Sequence, residues 1–145
     1  MPHNLPEADA LQATLNLLMP IRRQRLSRSE RQLRQEEQTL NRLDAEQAAH
    51  RQRLDALQLS GRQQRDAFVS QMQGRQQTQE NLKKRLHDEQ RLLHDIHAET
   101  QRGESNRVAQ QNQQQQVKHA RQTTRQCQKA VEKLEFLLTL PQENL

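Results

Sequence analysis

Leucines recur at seven-residue intervals through the first half of the chain. Leu26, Leu33, Leu40 and Leu54 share one lattice, with Gln47 in the remaining place, and Leu43 and Leu57 each lie three residues beyond a member of it. A seven-residue repeat built from steps of three and four keeps one stripe of a helix turned towards a partner helix, so the pattern predicts a coiled-coil arm. A second pattern opens near Asn81, with Leu82, Leu86, Leu93 and Ile96 on one stripe. After a polar stretch it resumes as Val117, Ala120, Thr124, Cys127, Val131, Leu134 and Leu138, in alternating steps of 3 and 4, and Pro141 ends it.

Two arms imply a reversal. The segment from Ser60-Gly61 to Thr78 separates them, and a pivot at Gly74 sets residue i opposite residue 148 − i, which pairs both seams to their ends. A pivot at Gly61 leaves the 117–138 seam without a partner. The predicted fold is therefore all-α, a long two-helix antiparallel coiled-coil hairpin, with arm one over about 21–70, the turn over about 70–78 and arm two over about 79–140. Each arm is on the order of 80 to 100 Å long at the helical rise. Residues 1–20 read as a separate extension. They hold Pro2, Pro6 and Pro20, and between them Leu11, Leu15 and Leu18 predict a short amphipathic helix that Pro20 kinks or restarts. The middle of the hairpin offers few apolar knobs, because Gln47 and His50 face Thr100–Gln116. The tract Gln110–Gln116 reads as a solvated helix face, and this stretch is expected to bend or fray.

Composition narrows the classes. The 145 residues include 27 glutamines but no Trp or Tyr, only Phe68 and Phe136 as aromatics, 3 Gly and 4 Pro. That is too little aromatic and turn-forming material for a compact sheet domain. No run reaches the roughly 18 apolar residues of a membrane span, and the start lacks the layout of a secretory leader. Cys127, the single cysteine, reads as a small seam residue, and a chain with one thiol fits a reducing cytoplasm.

Catalytic and cofactor motifs are missing. There is no phosphate-binding glycine loop, nucleophile elbow or paired-cysteine motif, so neither catalytic nor cofactor residues are expected. His94 and His97 have a spacing that could share a metal, yet an exposed helix stripe supplies no further ligands, and no metal site is predicted. Glu36 and Glu37 are neighbours on a helix and face no cleft. The formal charge of +5 is uneven: residues 20–35 carry six arginines against Glu30, and residues 118–133 carry five cations against Glu132. The hairpin brings these runs side by side near the termini, where they read either as a solvated coiled-coil face or as a docking end for an acidic partner. Nucleic acid is not that partner, because the arginines share their turns with the leucine seam and no aromatics are available to stack on bases.

The segment Leu18-Met19-Pro20-Ile21-Arg22-Arg23-Gln24-Arg25-Leu26, the closing heptad Val131-Glu132-Lys133-Leu134-Glu135, the size and the hairpin layout together resemble the YscO/FliJ family. These are central stalk proteins of bacterial type III secretion and flagellar export machines, and the resemblance runs from about Leu18 to Leu140. It implies a non-enzymatic, cytoplasmic protein peripheral to an inner-membrane secretion apparatus. Its termini-bearing end would enter the pore of the hexameric export ATPase, and the middle or tip, around residues 60–100, would reach the membrane export gate. Secretion chaperones are further implied partners, and direct membrane insertion is not implied. Carried onto this chain, Arg22, Arg23, Arg25, Arg28, Arg31, Arg121, Arg125 and Lys129 would contact acidic pore loops. An escort factor whose helices bind an amphipathic helix of a chaperone, anchored at Leu11, Leu15 and Leu18, is the alternative. A self-assembling structural coiled coil is a third.

Overall fold

A computed structural model describes residues 4–73 and 78–141, with side chains from residue 7 onward. The chain is an all-α hairpin of two helices, α1 (Asn4–Met72) and α2 (Gln79–Thr139), packed against each other. Thr78 caps α2: its Oγ1 accepts from the Asn81 amide at 3.1 Å, and Glu80 puts negative charge in the first turn. Gly74, the expected pivot, lies outside the described residues.

The helices divide into two compact units, one of residues 1–40 with 113–145 and one of residues 41–112. The first holds the apolar core. Leu15, Met19, Val131 and Leu134 are buried together, with Leu18, Leu26, Leu137 and Leu138 packed around them. Here the separate N-terminal extension gives way to a continuous helix, because α1 runs through Pro20 without a restart. The ring deletes one helical hydrogen bond at a cost of about 3 kcal/mol. Pro20 and Asn16, whose carbonyl loses that bond, both stand on the exposed side, where water can replace it. Leu15 and Met19, on the opposite side, bury against Val131 and Leu134 and hold the segment helical.

The seam residues keep their lattice. Leu26, Leu33, Leu40 and Leu54 are half-buried, as are Cys127 and Leu138, while Val117, Ala120, Val131 and Leu134 are buried. Thr124 contributes a hydroxyl rather than an apolar knob, sharing a hydrogen bond of 2.7 Å with buried Ser29. The pairs Ser29–Thr124 and Gly61–Leu92 lie five residues further along α2 than a pivot at Gly74 predicts, which names His119 and His87.

The polar middle departs most from expectation. Residues 100–116 neither interrupt the helix nor lack partners. Within residues 41–112, Asn106 is buried, and its Nδ2 donates to the Leu43 carbonyl at 3.0 Å and to Gln47 Oε1 at 2.8 Å. Gln110 Nε2 donates to Asp44 at 2.7 Å. Within the other unit, Gln113 Nε2 donates to the Glu36 carbonyl at 2.9 Å and also to its carboxylate. The glutamine tract is thus a solvated face only at Gln111, Asn112 and Gln114–Gln116, while Gln110 and Gln113 reach across the seam.

The leucine stripe of the second arm also needs correction. Leu82, Leu86 and Leu93 are 46%, 57% and 59% exposed. Ile96 keeps its expected place, Leu92 takes that of Leu93, and the seam continues through Glu99, Gly103 and Asn106 in steps of three and four. Leu93 is one residue off this lattice, which turns it about 100° away from α1.

Asn106→Leu should raise the unfolding free energy, and with it the midpoint, by on the order of 1 kcal/mol, because a desolvated amide gives way to an apolar side chain. It should also broaden the distribution of oligomeric species seen by light scattering, because a polar seam residue that fixes register has been lost. A lower midpoint with an unchanged distribution would remove that role. Gly103→Ala adds a Cβ only 3.8 Å from the His50 Cβ, ordinary contact. It should stabilise the chain by about 1 kcal/mol through helix propensity, measured by urea denaturation.

Candidate partner-binding surface

The cations expected to dock a partner lie in the unit of residues 1–40 and 113–145. They do not form one patch. Arg22 is half-buried on the seam, and its Nη1 donates to the Ala130 carbonyl at 3.0 Å, so it serves the fold. Arg23 faces Glu135 at 3.6 Å and Arg121 faces Glu37 at 3.5 Å, both across the helix pair. Arg23 and Arg121 thus each have an acidic partner within the chain, and Arg22 a carbonyl.

Arg25, Arg28, Arg31, Arg125 and Lys129 are exposed and have no acidic partner among the described residues. Arg25 and Arg28 line a shallow groove of about 410 Å³ with Ser29, His119, Thr123 and Cys127. Helical periodicity sets Arg31 on the outward side of α1. Lys118, Arg125 and Lys129, at spacings of seven and four, form the outward stripe of α2. Unpaired positive charge therefore surrounds this helix pair on three sides. The sequence located these charges, but only the fold shows which of them Glu37, Glu135 and the Ala130 carbonyl consume.

The unit of residues 41–112 contains a buried charged cluster that hydropathy periodicity does not reveal. Glu99 is 5% exposed on the seam. Its Oε1 lies 2.6 Å from His50 Nδ1 and 3.0 Å from Arg53 Nε, and its Oε2 lies 3.2 Å from Arg102 Nη1. These donors, His50 foremost, outweigh desolvation and hold the carboxyl down at about 2. An ionised Glu99 requires the proton on His50 Nδ1 to donate to it. With that proton on Nδ1, Arg53 Nη2, 2.8 Å from the same nitrogen, meets a donor rather than an acceptor, so Arg53 serves the carboxylate through its Nε alone. The signal for this cluster was available in the lattice: extending the 117–138 steps backwards arrives at Glu99.

Among the described residues no three His, Cys, Asp or Glu side chains come together as a metal-binding group, and His94 and His97 stand exposed. No helix there is long and apolar enough to cross a membrane. No family model matches the chain, and no curated protein or solved structure is similar to it.

The Glu99 cluster generates a pH dependence. Its folded carboxyl is depressed from 4.5 to about 2, so its stabilising contribution is complete above the ordinary carboxylate range and is lost as pH falls through about 2. The thermal midpoint should decline over that window by more than in Glu99→Gln, whose uncharged amide does not titrate. Parallel curves for the two proteins would mean that the cluster adds no charge-dependent stability.

Proposed function

We propose that the chain is a non-catalytic coiled-coil stalk whose cationic end docks inside an acidic, encircling partner, the hexameric ATPase of a type III secretion or flagellar export machine. The supporting observation is the distribution of unpaired charge. Arg25, Arg28, Arg31, Arg125 and Lys129 point away from the helix pair in several directions. A flat partner could engage one side of such a unit, whereas a ring with acidic inner loops would meet all of them. The sequence resemblance to YscO/FliJ stalk proteins supplies the identity of that ring.

In this mechanism the exposed cations steer the hairpin into the pore and favour assembly of the hexamer. The paired residues Arg22, Arg23 and Arg121 keep the two helices in register while this happens. The remainder of the hairpin carries the conformation of the ring towards the export gate at the membrane, which places the protein in the cytoplasm beside the apparatus.

The test is turnover of the export ATPase from the same organism, titrated with the protein at fixed ionic strength. The expected result is a rise in rate that accompanies hexamer assembly and weakens with added salt. Reversal of Arg25, Arg28, Arg31, Arg125 and Lys129 to Glu together should reduce the stimulation by roughly tenfold or more while helicity is kept. Single reversals should do little, because an exposed ion pair contributes about 1 kcal/mol or less. Full stimulation by the fivefold variant would refute docking through this end.

A further inference from the structure

The leucines that the seam leaves out are not scattered. Leu82, Leu86 and Leu93 fall within about 40° of one another on α2. Isolated exposed leucines are ordinary, but an aligned row each about half exposed marks an interaction surface. All of it lies within the unit of residues 41–112.

Beside this row runs a cationic edge. Arg62 and Arg65 share a groove of about 370 Å³ with Leu92, Leu93 and Ile96. At the floor of the groove the bare Gly61 leaves room for the Leu92 Cδ2 methyl, which a Cβ would meet at 2.7 Å. Both arginines are exposed, with no acidic partner among the described residues. Arg85, in the same groove, stacks over Phe68 at 5.5 Å, and its buried Nη1 has no hydrogen-bond partner among the described residues. An orphaned guanidinium nitrogen in a site with two free arginines calls for a carboxylate. Glu89 is the only acidic residue lining the groove, so the balance is positive.

We propose that this face binds one amphipathic helix of another protein, its apolar stripe on Leu82, Leu86 and Leu93 and its acidic edge over Arg62 and Arg65. Apolar anchors at helical spacing beside a charged rim are the helix-in-groove mode of recognition. A second copy of this chain is the poorer occupant, since it would bring the same net-positive groove to the contact. The inference does not rest on docking to the ATPase, which concerns the cations of the other unit.

The test uses the full chain and two designed amphipathic helical peptides of ~20 residues with the same leucine stripe, one edged with Glu and one with Lys. Fluorescence anisotropy should show binding of the Glu-edged peptide, with amide shift changes confined to residues 58–69 and 82–96. Leu86→Glu with Leu93→Glu should abolish it. Arg62→Glu with Arg65→Glu should weaken it roughly tenfold and turn the preference towards the Lys-edged peptide. Circular dichroism checks that both variants remain helical, as exposed positions allow. The fivefold reversal described above should bind the Glu-edged peptide undiminished, so the two proposals fail independently. No binding, equal binding of both peptides, or self-association that Leu86→Glu with Leu93→Glu removes would each overturn the proposal.

Discussion

A helix pair has only one stripe on each helix with which to bury anything, and every other feature of this chain follows from how that stripe is filled. Among the described residues, only Leu15, Met19, Leu43, Val117, Ala120, Val131 and Leu134 are buried large or aliphatic apolar residues. The lattice positions between them go to Ser29, Glu36, Gln47, His50, Glu99, Asn106, Gln113 and Thr124, which must find partners across the seam or carry a desolvation penalty. Each does. Leucine-on-leucine packing tolerates a slip of one heptad, whereas Asn106 on the Leu43 carbonyl and Glu99 among His50, Arg53 and Arg102 do not. The polar positions therefore give up stability and gain a single register.

That exchange also explains what the sequence made legible. The leucines of α1 and the 117–138 run announce themselves because their period is seven, and they delivered the hairpin. The polar middle looked unpacked because hydropathy counts only apolar knobs, although its spacing was already on the lattice. The error at Leu93 has a different origin. Choosing the richer stripe of leucines over the continuous lattice shifted the seam by one residue, and one residue on a helix is a quarter turn or more. Pro20 looked like a boundary because its local cost is certain while its compensation is distant, in Val131 and Leu134 more than a hundred residues later. For the basic end, the count and position of the arginines were plain, but Glu37 and Glu135 come opposite Arg121 and Arg23 only through the fold.

A two-helix seam takes about two positions in seven and leaves the rest to solvent, so surface chemistry can be written onto such a fold almost without disturbing it. The two units use that freedom differently. Around residues 1–40 and 113–145 unpaired cations stand on several sides, with Leu11, Leu17, Ile21 and Phe136 exposed among them. Within residues 41–112 the exposed positions combine an aligned leucine row with an arginine edge. Charge spread over several sides accelerates encounter and orients a partner, while aligned apolar anchors with a charged rim hold one helix in one pose.

The same reasoning sets where selection can act on this chain. A substitution on the outward stripes alters partner choice at almost no cost in stability, since those side chains touch nothing. A substitution at Asn106 or Glu99 alters the register or the spacing of the helices, and with it the relative placement of every outward residue in that unit. Arg62 and Leu93 belong to different helices and line one groove, at whose floor Gly61 leaves room for the Leu92 methyl. A seam residue that never touches the partner thus shapes the binding edge. A methyl added at Gly61 would meet only the flexible end of Leu92, so Gly61→Ala should change recognition less than removing an arginine does.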